Sequence, residues 1–233
     1  MGGKLKFDKV HISGPNYALW VQGPNAKLEV INGSLIEANY FSISTDATLQ
    51  GGGLLYGGAD IMLKDSKFIA GETGFMTNVS PSTVNIENCE FSGNHQAAFL
   101  RGGTYTIKNS SFTLKAELES THSENNHMKQ WQDGNRAAFA GITIGNYLSS
   151  AYQYPTTVAM TGVTVKVEGT HASSFPAVHV CANAAENKGV TLTYDGSCSF
   201  TSTYDPAVEY GTANITVNGE KVEKSNVKQE TSN

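Results

Sequence analysis

Thr83-Val84-Asn85-Ile86-Glu87-Asn88-Cys89-Glu90-Phe91 is followed, 21 residues on, by Thr104-Tyr105-Thr106-Ile107-Lys108-Asn109-Ser110-Ser111-Phe112. Both stretches have apolar residues at two alternating positions, then an Asn, then an apolar residue three places further. Alternation with period two means a strand with one buried face. Asn tolerates the left-handed backbone that a sharp bend requires. A second short strand then turns away from the first and carries Phe91 or Phe112 inward. A pattern returning at an interval of this size marks a solenoid.

Other copies lie on both sides. Asp60-Ile61-Met62-Leu63-Lys64-Asp65-Ser66-Lys67-Phe68 precedes the first by 23 residues, after Lys27-Leu28-Glu29-Val30-Ile31-Asn32-Gly33-Ser34-Leu35 and Lys4-Leu5-Lys6-Phe7-Asp8-Lys9-Val10-His11-Ile12. Thr157-Val158-Ala159-Met160-Thr161-Gly162-Val163-Thr164-Val165 follows, with looser versions over 190–200 and 215–222. The bends fall at Lys9, Asn32, Asp65, Asn88, Asn109, Gly162, about Gly196, and Gly219. Between copies lies one more strand, seen in Ala18-Leu19-Trp20-Val21, Tyr40-Phe41-Ser42-Ile43, Gly74-Phe75-Met76-Thr77, Ala98-Phe99-Leu100-Arg101, Ala138-Phe139-Ala140-Gly141, Ala177-Val178-His179-Val180 and Ala207-Val208-Glu209-Tyr210. This alignment predicts a buried column of Leu19, Phe41, Phe75, Phe99, Phe139, Val178 and Val208, each contributing roughly 1.5–3 kcal/mol.

The chain is thus expected to be all-β: a single right-handed parallel β-helix of about eight turns with three short sheets. The coil is assigned to residues 1–222, with insertions near 113–136 and 147–156, and 223–233 to a polar tail. The pattern resembles the right-handed parallel β-helix superfamily typified by pectate lyases, over nearly the whole chain. In character it is closest to β-helical segments of bacterial surface and adhesin proteins. Stacking at about 4.8 Å per turn gives a rod near 40 Å long. The Leu-x-x-Leu-x-Leu pattern of the rival leucine-rich solenoid is absent.

Composition agrees with short strands and tight bends: 24 Gly and only 16% charged residues. The net charge is −5, and Arg101 and Arg136 are the only arginines, so a nucleic-acid partner is not expected. No apolar run reaches the roughly 20 residues that span a bilayer. Met1-Gly2-Gly3 leads straight into strand-like sequence without a signal peptide, and the native protein is expected to extend upstream. Cys89, Cys181 and Cys198 are widely spaced and odd in number, which fits packing and neither a disulfide framework nor a zinc site. No cofactor is expected.

In the superfamily that the pattern resembles, ligands lie on the strand after the second bend, walled by the flanking loops. Here that is the Leu19–Val208 series, and the two insertions flank its copy at 137–146. Its outward positions are predicted as Trp20, Ser42, Met76, Leu100, Ala140, His179 and Glu209, then Gln22, Ser44, Asn78, Gly102, Ile142 and Cys181. The superfamily's lyases hold calcium with carboxylates, and its hydrolases cluster carboxylates for acid–base work. Only Glu209 is acidic among these positions, which argues against inherited cleavage chemistry. Trp131, Tyr147, Tyr152 and Tyr154 are loop aromatics able to stack on sugar rings or anchor a protein partner, or else to pack the loops onto the coil. Trp20, His179 and Arg101 complete the candidate ligand-binding set. Arg101 occupies an inward position, and because a buried lone guanidinium is costly it is expected at the strand end, reaching solvent or a carboxylate. The 114–119 stretch can form one helical turn or a ribbon. His122, Glu124 and His127 lie in the first insertion, but a His spacing of five does not match the zinc-peptidase spacing of four, so no metal site is assigned.

These features favour a non-enzymatic bacterial cell-surface or secreted module, adhesin-like or glycan-binding. Its partner would be a polysaccharide or a host or cell-surface glycoprotein, outside the cell. The alternative is a polysaccharide lyase or glycoside hydrolase, which rests on fold alone; a trimeric viral or phage fibre segment is a third class. End-to-end self-association through the first turn is expected, because a coil exposes strand edges at its ends.

Overall fold

The computed structural model describes residues 3–21, 25–45, 58–77, 81–117, 128–130, 136–145, 154–181, 189–211 and 215–223, with only the backbone described at 128–130, 136–138 and 181. The chain winds as a parallel β-helix. The first turn is β1 (Lys4–Asp8), β2 (His11–Gly14) and β3 (Tyr17–Val21), and the second β4 (Lys27–Ile31), β5 (Leu35–Ala38) and β6 (Phe41–Thr45). Then come β7 (Asp60–Lys64), β8 (Lys67–Ala70) and β9 (Thr73–Met76), followed by β10 (Thr83–Glu87), β11 (Glu90–Gly93) and β12 (Gln96–Leu100). The fifth turn is β13 (Gly103–Lys108), β14 (Ser111–Lys115), a ribbon of β15 (Met128–Gln130) and β16 (Arg136–Ala138), and β17 (Ala140–Gly145). The sixth is β18 (Thr156–Thr161), β19 (Thr164–Glu168) and β20 (Val178–Cys181), and the seventh β21 (Val190–Tyr194), β22 (Ser199–Thr201) and β23 (Val208–Tyr210). β24 (Ile215–Val217) and β25 (Glu220–Val222) follow. The first strands of the turns form one sheet, the second strands another, and the third strands a third. No helix among the described residues is long and apolar enough to cross a membrane.

The bends follow their residues. Lys9, Asn32, Asp65, Asn88, Asn109 and Gly162 all have positive φ, between 48° and 63°. Neighbouring bends are tied together: the Asn32 amide donates to Asp8 and the Asn88 amide to Asp65, both at 3.0 Å. At Gly162 a Cβ would come 2.5 Å from Asn109 Oδ1, so glycine fits the ladder where a side chain would crowd it. Two expected bends differ. In the seventh turn Asp195 accepts from the Ser197 amide at 3.0 Å and also from its hydroxyl, and Cys198 N donates to Asp195 O, so a capped turn replaces the left-handed residue. At the end, Asn218 and Gly219 both have positive φ, at 50° and 88°. That pair makes a hairpin, and β25 folds back antiparallel onto β24 instead of starting another corner.

Side chains stack in register through the interior. Leu28, Ile61, Val84, Tyr105, Val158 and Leu192 form one fully buried column of the first sheet. Ile36, Phe68, Phe91, Phe112 and Val165 form one of the second. The three phenylalanines stack with ring centroids 4.7 Å apart. Tyr105 carries its hydroxyl into this core and donates to Gly102 O at 2.6 Å, beside Thr77 Oγ1, and burial pushes its pKa up. Outside, Lys4–Glu29, Lys27–Asp60 and Lys64–Glu87 bridge successive strands at 2.9–3.2 Å.

In the third sheet the register departs from the expected column. Leu19, Ile43, Phe75, Ala98, Ile142, Val178 and Val208 stand in one row. Phe41 and Phe99 lie instead with Met76 in a second apolar cluster, apart from the main core. Phe139 precedes β17 and stacks on His95 at 4.5 Å. The reason is burial on both faces. In β6, β12 and β17 every residue is buried, so a large apolar side chain does not mark the inside.

Candidate functional site on the outer face of the third sheet

The column on the other side of that sheet runs Trp20, Ser44, Met76, Phe99, Thr143, His179 and Glu209. Trp20, Met76, His179 and Glu209 are where the sequence put them. Ser44, Phe99 and Thr143 replace the expected Ser42, Leu100 and Ala140, and Ile142 belongs to the core row. From Ser44 to Glu209 the column is buried, while Trp20 is 53% exposed.

An aromatic ridge starts at that exposed end. The Trp20 ring lies 4.8 Å from Tyr17, and Tyr17 stacks on Phe41 at 5.1 Å. Tyr17 and the neighbouring Tyr40 are also exposed. Tyr17 pairs in register with Phe41, which sets their rings side by side. Beyond them Arg101 lies over Phe99, its Cζ 4.4 Å from the ring centroid. Its Nε donates to Thr77 O at 3.3 Å, and Nη2 is 3.8 Å from Met76 Sδ. Arg101 follows β12 at the strand end as expected, but it does not reach solvent; it is 1% exposed. The apolar cluster receives its flat guanidinium through the Phe99 face, an arrangement open to Arg because of its planar, weakly hydrated head.

At the other end, His179 Nδ1 contacts Glu209 Oε2, and Tyr204 donates to Glu209 Oε1 at 2.8 Å. Both members of this pair are buried. A carboxylate bound on both oxygens orients the imidazole through its Nδ1. A second buried imidazole, His95, sits 3.5 Å from Glu72 and flat against Phe139.

Of the other sequence candidates, Tyr154 is half-buried ahead of β18. Trp131, Tyr147 and Tyr152 lie outside the described residues, as do His122, Glu124 and His127. Within the first insertion, residues through Lys115 continue β14, so the 114–119 stretch begins as strand, and β15 pairs antiparallel with β16. Tyr17, Tyr40, Tyr204 and the His95–Glu72 pair were not anticipated from sequence. The Tyr17–Trp20 contact, three residues apart in a strand, and the pairing of Tyr204 with Glu209 both need the fold. No family model, curated protein or solved structure matches the chain.

Proposed function

We propose that this chain is a non-enzymatic, glycan-binding module of a bacterial cell-surface or secreted protein, built on a right-handed coil of the pectate lyase-like superfamily. The observation that carries the reading is the exposed Trp20–Tyr17 pair on the outer face of the third sheet. Rigid aromatic rings offered to solvent give a sugar's apolar C–H face a surface to stack on, at little conformational cost. Tyr40 extends the platform. Singly scattered apolar residues on a surface are ordinary, but rings in mutual contact form a patch. The burial of both Glu209 and His179, which shuts the pair off from a chain lying on the surface, supports binding over the alternative of glycan cleavage.

The test is a glycan array on the purified protein, beside Trp20→Ala and a reducing-end assay on the glycans that bind. The expected result is binding lost in Trp20→Ala, unchanged thermal stability, and no new reducing ends. Unaltered binding in the variant, or no binding by the parent protein, would overturn the assignment. Turnover abolished by Glu209→Gln would replace it with the enzymatic one.

A further inference from the structure

Asn-Gly occurs twice in the chain, at 32–33 and 218–219, and the fold holds the two pairs differently. Both Asn residues have positive φ, at 58° and 50°. A glycine after Asn leaves the Asn side-chain carbonyl open to attack by the glycine's backbone nitrogen, because no side chain stands in the way. At 32–33 both reacting groups are occupied. The Gly33 N–H donates to Asp65 O at 2.6 Å, and the Asn32 amide nitrogen donates to Asp8 Oδ1 at 3.0 Å. Attack there must first break ties to the turns on either side. At 218–219 the arrangement is the reverse. Asn218 and Gly219 are exposed, and a Cβ at Gly219 would meet nothing within 4 Å beyond its chain neighbours. The Gly219 N–H donates to no backbone carbonyl among the described residues. The Asn218 side chain is bonded through its oxygen: Tyr194 N donates to Oδ1 at 2.9 Å. A backbone N–H can only donate, so the amide atom that it meets is the oxygen. When a nitrogen adds to Cγ, negative charge develops on that oxygen, and a donor already aimed at it stabilises the charge. Tyr194 ends β21, and the sheet holds its N–H in place.

From this we infer that Asn218–Gly219 is a self-modification site, where the Asn218 carboxamide becomes a carboxylate without an enzyme. Gly219 N bonds to Asn218 Cγ and gives its proton to water. The Cγ–Nδ2 bond breaks, and ammonia leaves with a proton from solvent, which closes a succinimide ring. Water then adds to one of the ring's two carbonyls, and the C–N bond at that carbonyl breaks. Opening at Cγ restores the original backbone with Asp at 218. Opening at the Asn218 main-chain carbonyl routes the backbone through Cβ and Cγ as isoaspartate. The net change replaces ammonia by water, and either product carries an added negative charge. The isoaspartyl form lengthens the turn by a main-chain carbon, which a two-residue hairpin between β24 and β25 does not accommodate in the same register.

The test incubates the whole chain at pH 8, folded and in urea, and samples it over days. Digestion at acid pH followed by mass spectrometry reads the two Asn-Gly peptides, with aspartate and isoaspartate resolved as separate chromatographic species. In the folded protein the 218–219 peptide is expected to gain the mass of the acid and to split into those two species. Its rate should exceed that at 32–33 on the order of tenfold or more, from the free nitrogen and the aimed donor together. In urea, where only the local sequence acts, the two rates should converge. A folded chain in which Asn218 keeps its amide, in which Asn32 converts as fast, or in which the ratio of rates equals that in urea would overturn the inference. No glycan enters the assay, so its outcome is independent of binding at Trp20.

Discussion

Phe91→Ala removes the middle ring of the Phe68–Phe91–Phe112 stack. Phe91 is 2% exposed, with Phe68 and Phe112 each 4.7 Å away, ring planes within 10° and 4°, and Phe75 at 6.1 Å. Truncating a buried Phe costs roughly 3–5 kcal/mol through lost transfer energy and the cavity left behind. Two stacked faces, each worth about 0.5–1.5 kcal/mol beyond area, place this site toward the top of that range, at about 4–5 kcal/mol. For a chain of this size that corresponds to a fall in melting temperature of about 10–15 °C. Urea and thermal denaturation followed by circular dichroism measure it. Glu90→Ala, which breaks only the exposed pair with Lys67 one residue away, should cost under about 1 kcal/mol. A Phe91→Ala loss below about 2 kcal/mol would mean that the ring is not enclosed by its neighbours, and would refute the stacked register.

Gly162→Ala places a Cβ at φ +63° and 2.5 Å from Asn109 Oδ1, and should lower stability by about 1–2 kcal/mol in urea denaturation, whereas Asn88→Gly at the equivalent bend should change it less. Cys89 is buried and its thiol is pushed up to about 12 by desolvation, so in the native protein at pH 8 peptide mapping after thiol labelling should find Cys89 unmodified and the half-buried Cys198 modified. Asp195 is held below the usual carboxylate range by the Ser197 hydroxyl and amide. Its contribution to the seventh-turn corner is therefore present above the ordinary carboxylate value and lost as pH falls through the depressed one, which the Ser197 amide shift in an NMR titration should follow; an Asp195 titrating at the ordinary value would count against the capped turn.

The coil was legible because its bends carry their own chemistry. Lys9, Asn32, Asp65, Asn88, Asn109 and Gly162 all adopt the left-handed backbone their spacing called for. The bend at Gly219 is there, but Asn-Gly is also the strongest hairpin signal, and β25 folds back on β24 where another corner was expected. The third sheet was harder to read. Its middle strands β6, β9, β12 and β17 are buried on both faces, so alternation vanishes there, and aligning Phe with Phe puts Phe41 and Phe99 in the core row when they belong to a separate cluster. Arg101 lies at the strand end as read, but with the outer face covered that end is not a route to water, and the guanidinium settles over Phe99. In the candidate site, Trp20, His179 and Glu209 were identifiable by position. Their fates were not, since exposure of Trp20 and closure of the His179–Glu209 pair depend on contacts from distant parts of the chain.

Trp20 and Trp131 are the only tryptophans, so Trp131→Phe leaves Trp20 as the single reporter on the proposed platform. Collisional quenching of that fluorescence, measured with and without a saturating glycan identified on the array, tests the binding assignment most directly. Trp20 should be freely quenched in the unliganded protein and become protected as the glycan saturates. Quenching that glycan leaves unchanged, or a Trp20 already shielded without it, would contradict the assignment.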